Sequence, residues 1–330
     1  MANLRLVTLR RDRRMHPILR LALHRALLAA VLVLVVSAVT FVLLSVAPGD
    51  PAATLLGGFA TPAKIAQVRR ELGLEKPLWQ QYWDWLDQAA HGSLGSSLVS
   101  QEAVFPELMG RLPVTLSLVV GTTLVSAVVG VGVGAFSAVR GGLVGRFLDV
   151  VSMLGFALPS FWLGLVLMEL FAVQWGLLPA TGYVSFGDSP LLWLRSLVLP
   201  VATLSIGGVT GIAKQTRDAL LSEWGKDYVD ALRATGLSER RILLRHALKN
   251  AAIPIVTVVG VYFVGMLGGA VLVENIFAMP GLGSLATSST GQGDIPVVLG
   301  IAVLFCLIVV LVNFLVDLAY GLLNPRARAA

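Results

Sequence analysis

The chain has 330 residues, of which 56% are hydrophobic and 13% charged, with a formal net charge of +6. So apolar a composition lies outside the range of ordinary soluble domains, and a single cysteine, Cys306, excludes an intrachain disulfide. The positive charge does not mark a nucleic-acid binder, because its distribution follows membrane topology.

A basic segment, Arg5 to Arg25, with interleaved leucines precedes the first apolar run, Ala26–Ala47. It reads either as a solvated topogenic tail or as an interfacial helix on anionic lipid. The run could end in a cleaved signal at Ser45-Val46-Ala47, but it exceeds a signal core and Pro48 follows the site. Five more runs are Val114–Ala138, Leu148–Val173, Leu197–Ala213, Ile253–Val273 and Val297–Ala319. Each is long enough, or nearly so, to cross about 30 Å of hydrocarbon. Leu197–Ala213 is the weakest, being short and carrying Pro200, Gly207, Gly208 and Gly211.

With six spans, both termini share one side. That side holds seven Lys and Arg in the N-terminal tail, two near Arg140 and Arg146, eight in the loop Lys214–Ala252 and two at the C-terminus. These are nineteen of the 25, so the positive-inside bias places the termini and the loop in the cytoplasm of a multi-pass plasma (inner) membrane protein. The loop is aqueous, since each basic residue at mid-bilayer costs roughly 2.5–3.5 kcal/mol.

Between the first two spans lies a predicted extracytoplasmic helical insertion, 48–112. Thr61-Pro62 starts a helix that Gly73 stops. A second helix from Pro77 puts Leu78, Tyr82, Trp85, Leu86 and Ala89 on one face, with Trp79 and Trp83 elsewhere. The spread aromatic surface is either a docking surface for an extracytoplasmic partner or an aromatic belt at the bilayer interface. In the second span Thr122, Ser126, Gly130, Gly134 and Ala138 recur at every fourth position, a stripe that lets two helix backbones approach. In the third, Pro159 of Leu158-Pro159-Ser160-Phe161-Trp162 predicts a kink. Gly130, Gly134, Pro159, Ser160 and Phe161 are therefore candidates for helix packing or for the pore. Asp149, Asp317 and Glu169 fall near span ends and read either as functional intramembrane acids or as charges simply anchored at the interfaces.

Catalytic patterns are missing. There is no G-x-x-x-x-G-K-[ST] nucleotide loop, no H-E-x-x-H pair and no G-x-S-x-G elbow, and His16, His24, His91 and His246 lack metal-ligand spacing. No catalytic, cofactor-binding or metal-ligating residue is assigned, and a membrane enzyme would need a constellation at depth.

The cytoplasmic loop holds the remaining pattern. Trp224 to Thr235 is helix-compatible and ends at Gly236, a natural C′ residue. Ser238 then caps a second helix with Glu239 in its first turn.

This loop resembles the EAA motif of ABC importer permeases, E-A-A-x3-G-x9-I-x-L-P, with Asp230 at the acid, Ala231 at the first alanine and Gly236 at the glycine. Leu232, His246 and Lys249 depart from it. The fuller likeness is to the dipeptide, oligopeptide and nickel permease family. It covers Gly236-Leu237-Ser238-Glu239-Arg240-Arg241, Arg245-His246-Ala247-Leu248, Ala47-Pro48-Gly49-Asp50-Pro51, Arg111-Leu112-Pro113, Pro159-Ser160-Phe161-Trp162 and Met279-Pro280-Gly281-Leu282-Gly283. The order of these blocks is similar to the B-type subunit.

The resemblance implies an all-α membrane protein of six transmembrane helices, a type I importer bundle with an external insertion. Its parts are 1–25, the first span 26–47, the insertion 48–112, a core 113–320 and a tail 321–330. It implies import of di- or oligopeptides, with nickel complexes, glutathione or haem as alternative cargo and a non-transporting scaffold or receptor as a distant one. A second homologous permease subunit, two ATPase subunits holding ATP and Mg, and an extracytoplasmic substrate-binding protein would complete the complex in the lipid bilayer. Coupling to the ATPase is expected at Tyr228, Asp230, Ala231, Gly236 and Leu237, with Arg233, Arg240 and Arg241 at its edge.

Overall fold

A segment in hydrocarbon must pair its own backbone N–H and C=O groups, and a helix does so without help. The apolar runs are accordingly helical in the computed structural model, which describes residues 17–46, 50–57, 61–140 and 158–323, with residues 142, 143, 145, 147, 150 and 155. For residues 17–24 it describes the backbone alone. The helices are α1 (Pro17–Val46), α2 (Pro51–Leu56), α3 (Pro62–Glu71), α4 (Leu78–Ala90), α5 (Val104–Arg140) and α6 (Ser160–Leu167). They continue with α7 (Pro190–Trp224), α8 (Asp227–Ala234), α9 (Glu239–Ile242), α10 (Leu248–Ile276), α11 (Leu282–Gln292) and α12 (Ile295–Leu323). A π-helical stretch, Met168–Gln174, extends α6, and another, Leu243–Ala247, joins α9 to α10.

Among the described residues five helices are long and apolar enough to cross a membrane: α1 from Arg25, α5, α7, the continuous rod Glu239–Ile276, and α12. Much of the expected third span lies outside the described residues, Asp149 included, as do Ala47-Pro48-Gly49, residues 1–16 and the tail beyond Leu323. Its described part is the shorter apolar helix Ser160–Gln174. The kink expected at Pro159 is a break instead. Pro159 is extended (φ −62°, ψ 127°) and α6 starts immediately after it. A proline has no N–H for a helix interior and suits a helix entrance.

The span that looked weakest is the centre of the bundle. Two-thirds of the apolar window of α7 (67%) is buried, against 11% for α1. An inner helix meets protein rather than lipid, so Ser196, Thr203, Ser205, Gly208 and Thr210 can be buried along it. It also runs past Ala213 to Trp224, so the first third of the expected loop is helix.

The stripe on α5 explains how α7 is held. Thr122, Ser126, Gly130 and Gly134 are buried. A Cβ on Gly134 would stand 2.4 Å from the Ala213 carbonyl oxygen, and one on Gly130 would stand 2.9 Å from Ile212 Cβ. The fit is reciprocal, because a Cβ on Gly208 would stand 2.4 Å from Ser126 Oγ. Leu118 and Val119 of α5, Leu197, Leu199 and Leu204 of α7, and Leu267, Ala270 and Val273 of α10 form the main core.

At the end of the bundle away from α8, two buried acids tie down the segment between α10 and α12. Thr115 Oγ1 on α5 donates to Glu274 Oε1 at 2.6 Å and accepts the Leu282 N–H at 2.8 Å, while the Ser284 N–H donates to Glu274 Oε2 at 2.9 Å. Asp294 accepts Ser97 Oγ at 2.5 Å and the Leu98 N–H at 3.1 Å. At the opposite end Arg25 of α1 pairs with Asp317 of α12. Glu169 is exposed and accepts from Gln174 at 3.2 Å.

In the insertion the predicted helix boundaries hold. Thr61 precedes α3, and Gly73 (φ +69°) lets the Gly73 and Leu74 N–H groups close on the Arg70 and Arg69 carbonyls. Trp85 of α4 is buried against Phe41 and Leu299, with Tyr82, Leu86 and Ala89 beside it, whereas Leu78 is exposed.

Overpacking a tight helix contact costs about 1–3 kcal/mol. Gly134→Ala is expected to lower the thermal unfolding midpoint of the purified permease by at least that equivalent. Gly132→Ala, where nothing lies within 4 Å of the added Cβ, is expected to leave it unchanged or slightly higher.

Candidate functional site

The site is the connection between α7 and the Glu239–Ile276 rod. α7 ends at Trp224, the chain turns through Gly225 and Lys226, and α8 occupies Asp227–Ala234. The expected single helix over Trp224–Thr235 is therefore shorter, because Trp224 belongs to α7. Asp227 and Asp230 sit in the first turn of α8, where the helix dipole favours acids.

One residue seats α8 on the bundle. Val229 is fully buried, while Asp230, Ala231, Arg233, Ala234, Thr235 and Gly236 are exposed. At its far end the Gly236 N–H donates to the Arg233 carbonyl (2.9 Å) and the Leu237 N–H to the Leu232 carbonyl (3.3 Å). This double closure needs a residue in the left-handed region, and Gly236 has φ +80°. Ser238 is extended and precedes α9 as expected, though its side chain makes no capping bond.

Two polar ties brace the loop. Arg233 donates to Asp230 Oδ1 at 2.9 Å and to Glu239 Oε1 at 2.8 Å, linking α8 to α9. Arg233, Arg240 and Arg241, expected at the edge of the contact, are all exposed. Tyr228 Oη donates to Glu223 Oε2 at 2.8 Å and accepts from Asn250 Nδ2 at 3.1 Å, and Lys226 also pairs with Glu223. Burial, then the bond to the Glu223 carboxylate, pushes the Tyr228 hydroxyl above its ordinary value. The Glu223 bond raises Lys226 likewise.

Sequence reasoning missed Glu223, Val229, Ile242 and Asn250, although Val229 and Ile242 stand out as apolar residues in a polar stretch. Tyr228, Asp230, Ala231, Arg233, Gly236, Leu237, Arg240 and Arg241 all lie in this one loop or at the start of the rod. Of the other candidates, Gly130 and Gly134 are buried packing residues on α5. Pro159 and Phe161 lie exposed on the single chain, and Ser160 is half-buried. None of the five belongs to the loop.

A polytopic helical membrane protein thus presents one braced short helix with an exposed acid between two long helices. Family models agree. The description "Binding-protein-dependent transport system inner membrane component" matches residues 130–329, and its N-terminal companion matches residues 18–119. The chain belongs to this family of inner membrane transport components. It is 41% identical over 289 residues to a probable peptide ABC transporter permease protein of Sinorhizobium fredii, covering 87% of this chain and 92% of the relative. It is 36% identical over 318 residues to the dipeptide transport system permease protein DppB of Escherichia coli, covering 89% and 94%. An inward-facing structure of the MetNI methionine ABC transporter matches with a TM-score of 0.55 at 17% identity, covering 67% of this chain and 98% of that one. The fold is that of a type I ABC importer permease.

Both upward shifts keep the Glu223 knot intact from neutral pH up to about pH 10, the ordinary value for tyrosine, and it weakens as pH rises beyond that. Amide exchange protection of α8, corrected for intrinsic rates, is expected to stay flat through neutral pH. Tyr228→Phe is expected to reduce that protection about fivefold, for a loss of roughly 1 kcal/mol.

Proposed function

We propose that this chain is one of two permease subunits of an importer that carries peptides into the cytoplasm, and that an ATPase subunit drives it through α8. The observation that carries the reading is the exposed Asp230–Gly236 face on a short helix braced to both neighbouring long helices. The named peptide permeases, 36–41% identical over most of the chain, support the cargo class.

The mechanism follows from stiffness. A force on α8 reaches α9 through Arg233 and the rod through the Tyr228–Asn250 bond. The 38-residue Glu239–Ile276 rod, roughly 57 Å long at 1.5 Å per residue, carries that displacement across the bilayer. ATP binding that draws two ATPases together would swing two such rods between inward and outward openings, a rigid-body change of two states. An extracytoplasmic binding protein delivers cargo at the end holding Glu274, and both termini lie with α8 in the cytoplasm. Asp230, Ala231, Gly236 and Leu237 form the contact, Arg240 and Arg241 flank it, and Tyr228 and Arg233 hold its shape. Pro159, Ser160 and Phe161 face the second permease subunit or the pathway.

The Asp230 side chain is 77% exposed, so Asp230→Lys is expected to leave folding and pairing with the second permease subunit intact. ATPase co-purification, cargo-stimulated ATP hydrolysis and uptake of a labelled dipeptide are each expected to drop at least tenfold, about 1.4 kcal/mol. Normal stimulation and uptake in that variant would sink the assignment.

Gly236→Val places a β-branched residue at positive φ, at a cost of roughly 1–2 kcal/mol. It is expected to loosen the end of α8, read as faster amide exchange at Leu237, and to weaken ATPase capture.

A further inference from the structure

α4 lies deeper against the spans than an aqueous insertion requires. Tyr82 Oη stands 3.3 Å from the Leu34 carbonyl and 3.0 Å from Ser37 Oγ, and its ring packs on Phe41 at 5.5 Å. Leu34 lies nine residues from Arg25 and twelve from Val46, the ends of the apolar part of α1. At 1.5 Å per residue that is roughly 14 Å and 18 Å from the two ends, so the Tyr82 hydroxyl stands near mid-depth of about 30 Å of hydrocarbon.

Around α4 three arcs follow from the 3.6-residue turn. Trp85, Tyr82 and Ala89 face α1 and α12. Gln81 and Asp84 face the turn before the helix. Gln81 Nε2 donates to the Lys76 carbonyl at 2.8 Å, and Lys76 Nζ reaches Asp84 at 2.7 Å. Between these arcs lie Trp79 and Trp83, 73% and 65% exposed, one turn apart. The apolar arc is thus wider than the protein covers. Next to it an open apolar cavity of about 490 Å³ is lined by Leu34, Leu86, Ala90, Phe105, Met109 and Leu304, contributed by α1, α4, α5 and α12.

We propose that α4 is an interfacial helix seated in the bilayer. Phospholipid acyl chains of the leaflet opposite α8 cover its Trp79–Trp83 face and fill the adjoining cavity. Indoles are favoured at the boundary between headgroups and chains, where an apolar ring meets lipid and its N–H meets water. An apolar cavity of this size does not hold ordered water. A protein arriving from the aqueous phase would have to displace lipid to reach that face.

The test uses the complete transporter in lipid nanodiscs, with Trp79→Phe/Trp83→Phe as the comparison that isolates the emission of these two indoles. Phosphatidylcholine brominated on its acyl chains near the carbonyl is expected to quench most of that difference signal, while aqueous iodide leaves it. Quenching by iodide alone would mark an aqueous surface and overturn the proposal. So would a spectral shift on adding the extracytoplasmic binding protein, which would mark a docking face, or resistance to both quenchers, which would mark cover by the second permease subunit. If the double variant assembles poorly, the single variants Trp79→Phe and Trp83→Phe give the same readout.

Discussion

The contact between α5 and α7 sets the arrangement of everything else. Lipid tails are as apolar as leucine, so two spans gain nothing from mere hydrophobicity and associate through close packing. Gly134 lies under the Ala213 carbonyl, Gly130 under Ile212, and Gly208 of α7 under Ser126 of α5. Each helix supplies small residues where the other has bulk. Once α7 is seated this way it becomes the inner helix, α6 and α10 pack around it, and its emerging end fixes where α8 begins.

The second organising element is the Glu239–Ile276 rod. Its start is tied to α8 by the Arg233 bridge to Glu239, and near its finish Glu274 is tied to α5 and α11 through Thr115 and Ser284. A buried carboxylate adds little net stability over an apolar contact, yet removing one partner is costly. Glu274 therefore works as a position-fixing junction. The rod thus links the loop at one end of the bundle to the Glu274 junction at the other.

Much of this was legible beforehand. Hydropathy gave the five long apolar helices among the described residues, glycine chemistry gave the ends of α3 and α8, and every-fourth-residue spacing gave the packing stripe on α5. What was not legible depends on neighbours. Leu197–Ala213 looked weak because hydropathy measures compatibility with lipid, whereas α7 meets mostly protein. Glu274 fell just beyond the expected end of its span, and nothing local announces that Thr115, 159 residues away, completes its site. The Arg233–Glu239 tie was not legible, because the two residues lie on either side of the turn at Gly236. The break at Pro159 was read as a kink because periodicity does not report where a helix restarts.

The two acid clamps also bear on the order in which the chain is completed. Thr115 and Ser97 emerge early, but Glu274 and Asp294 follow 159 and 197 residues later. Until then the Thr115 end of α5 lacks these partners, both of which lie in the last fifth of the polypeptide. The permease therefore gains these clamps late in synthesis, and a chain cut short before Glu274 lacks both of them.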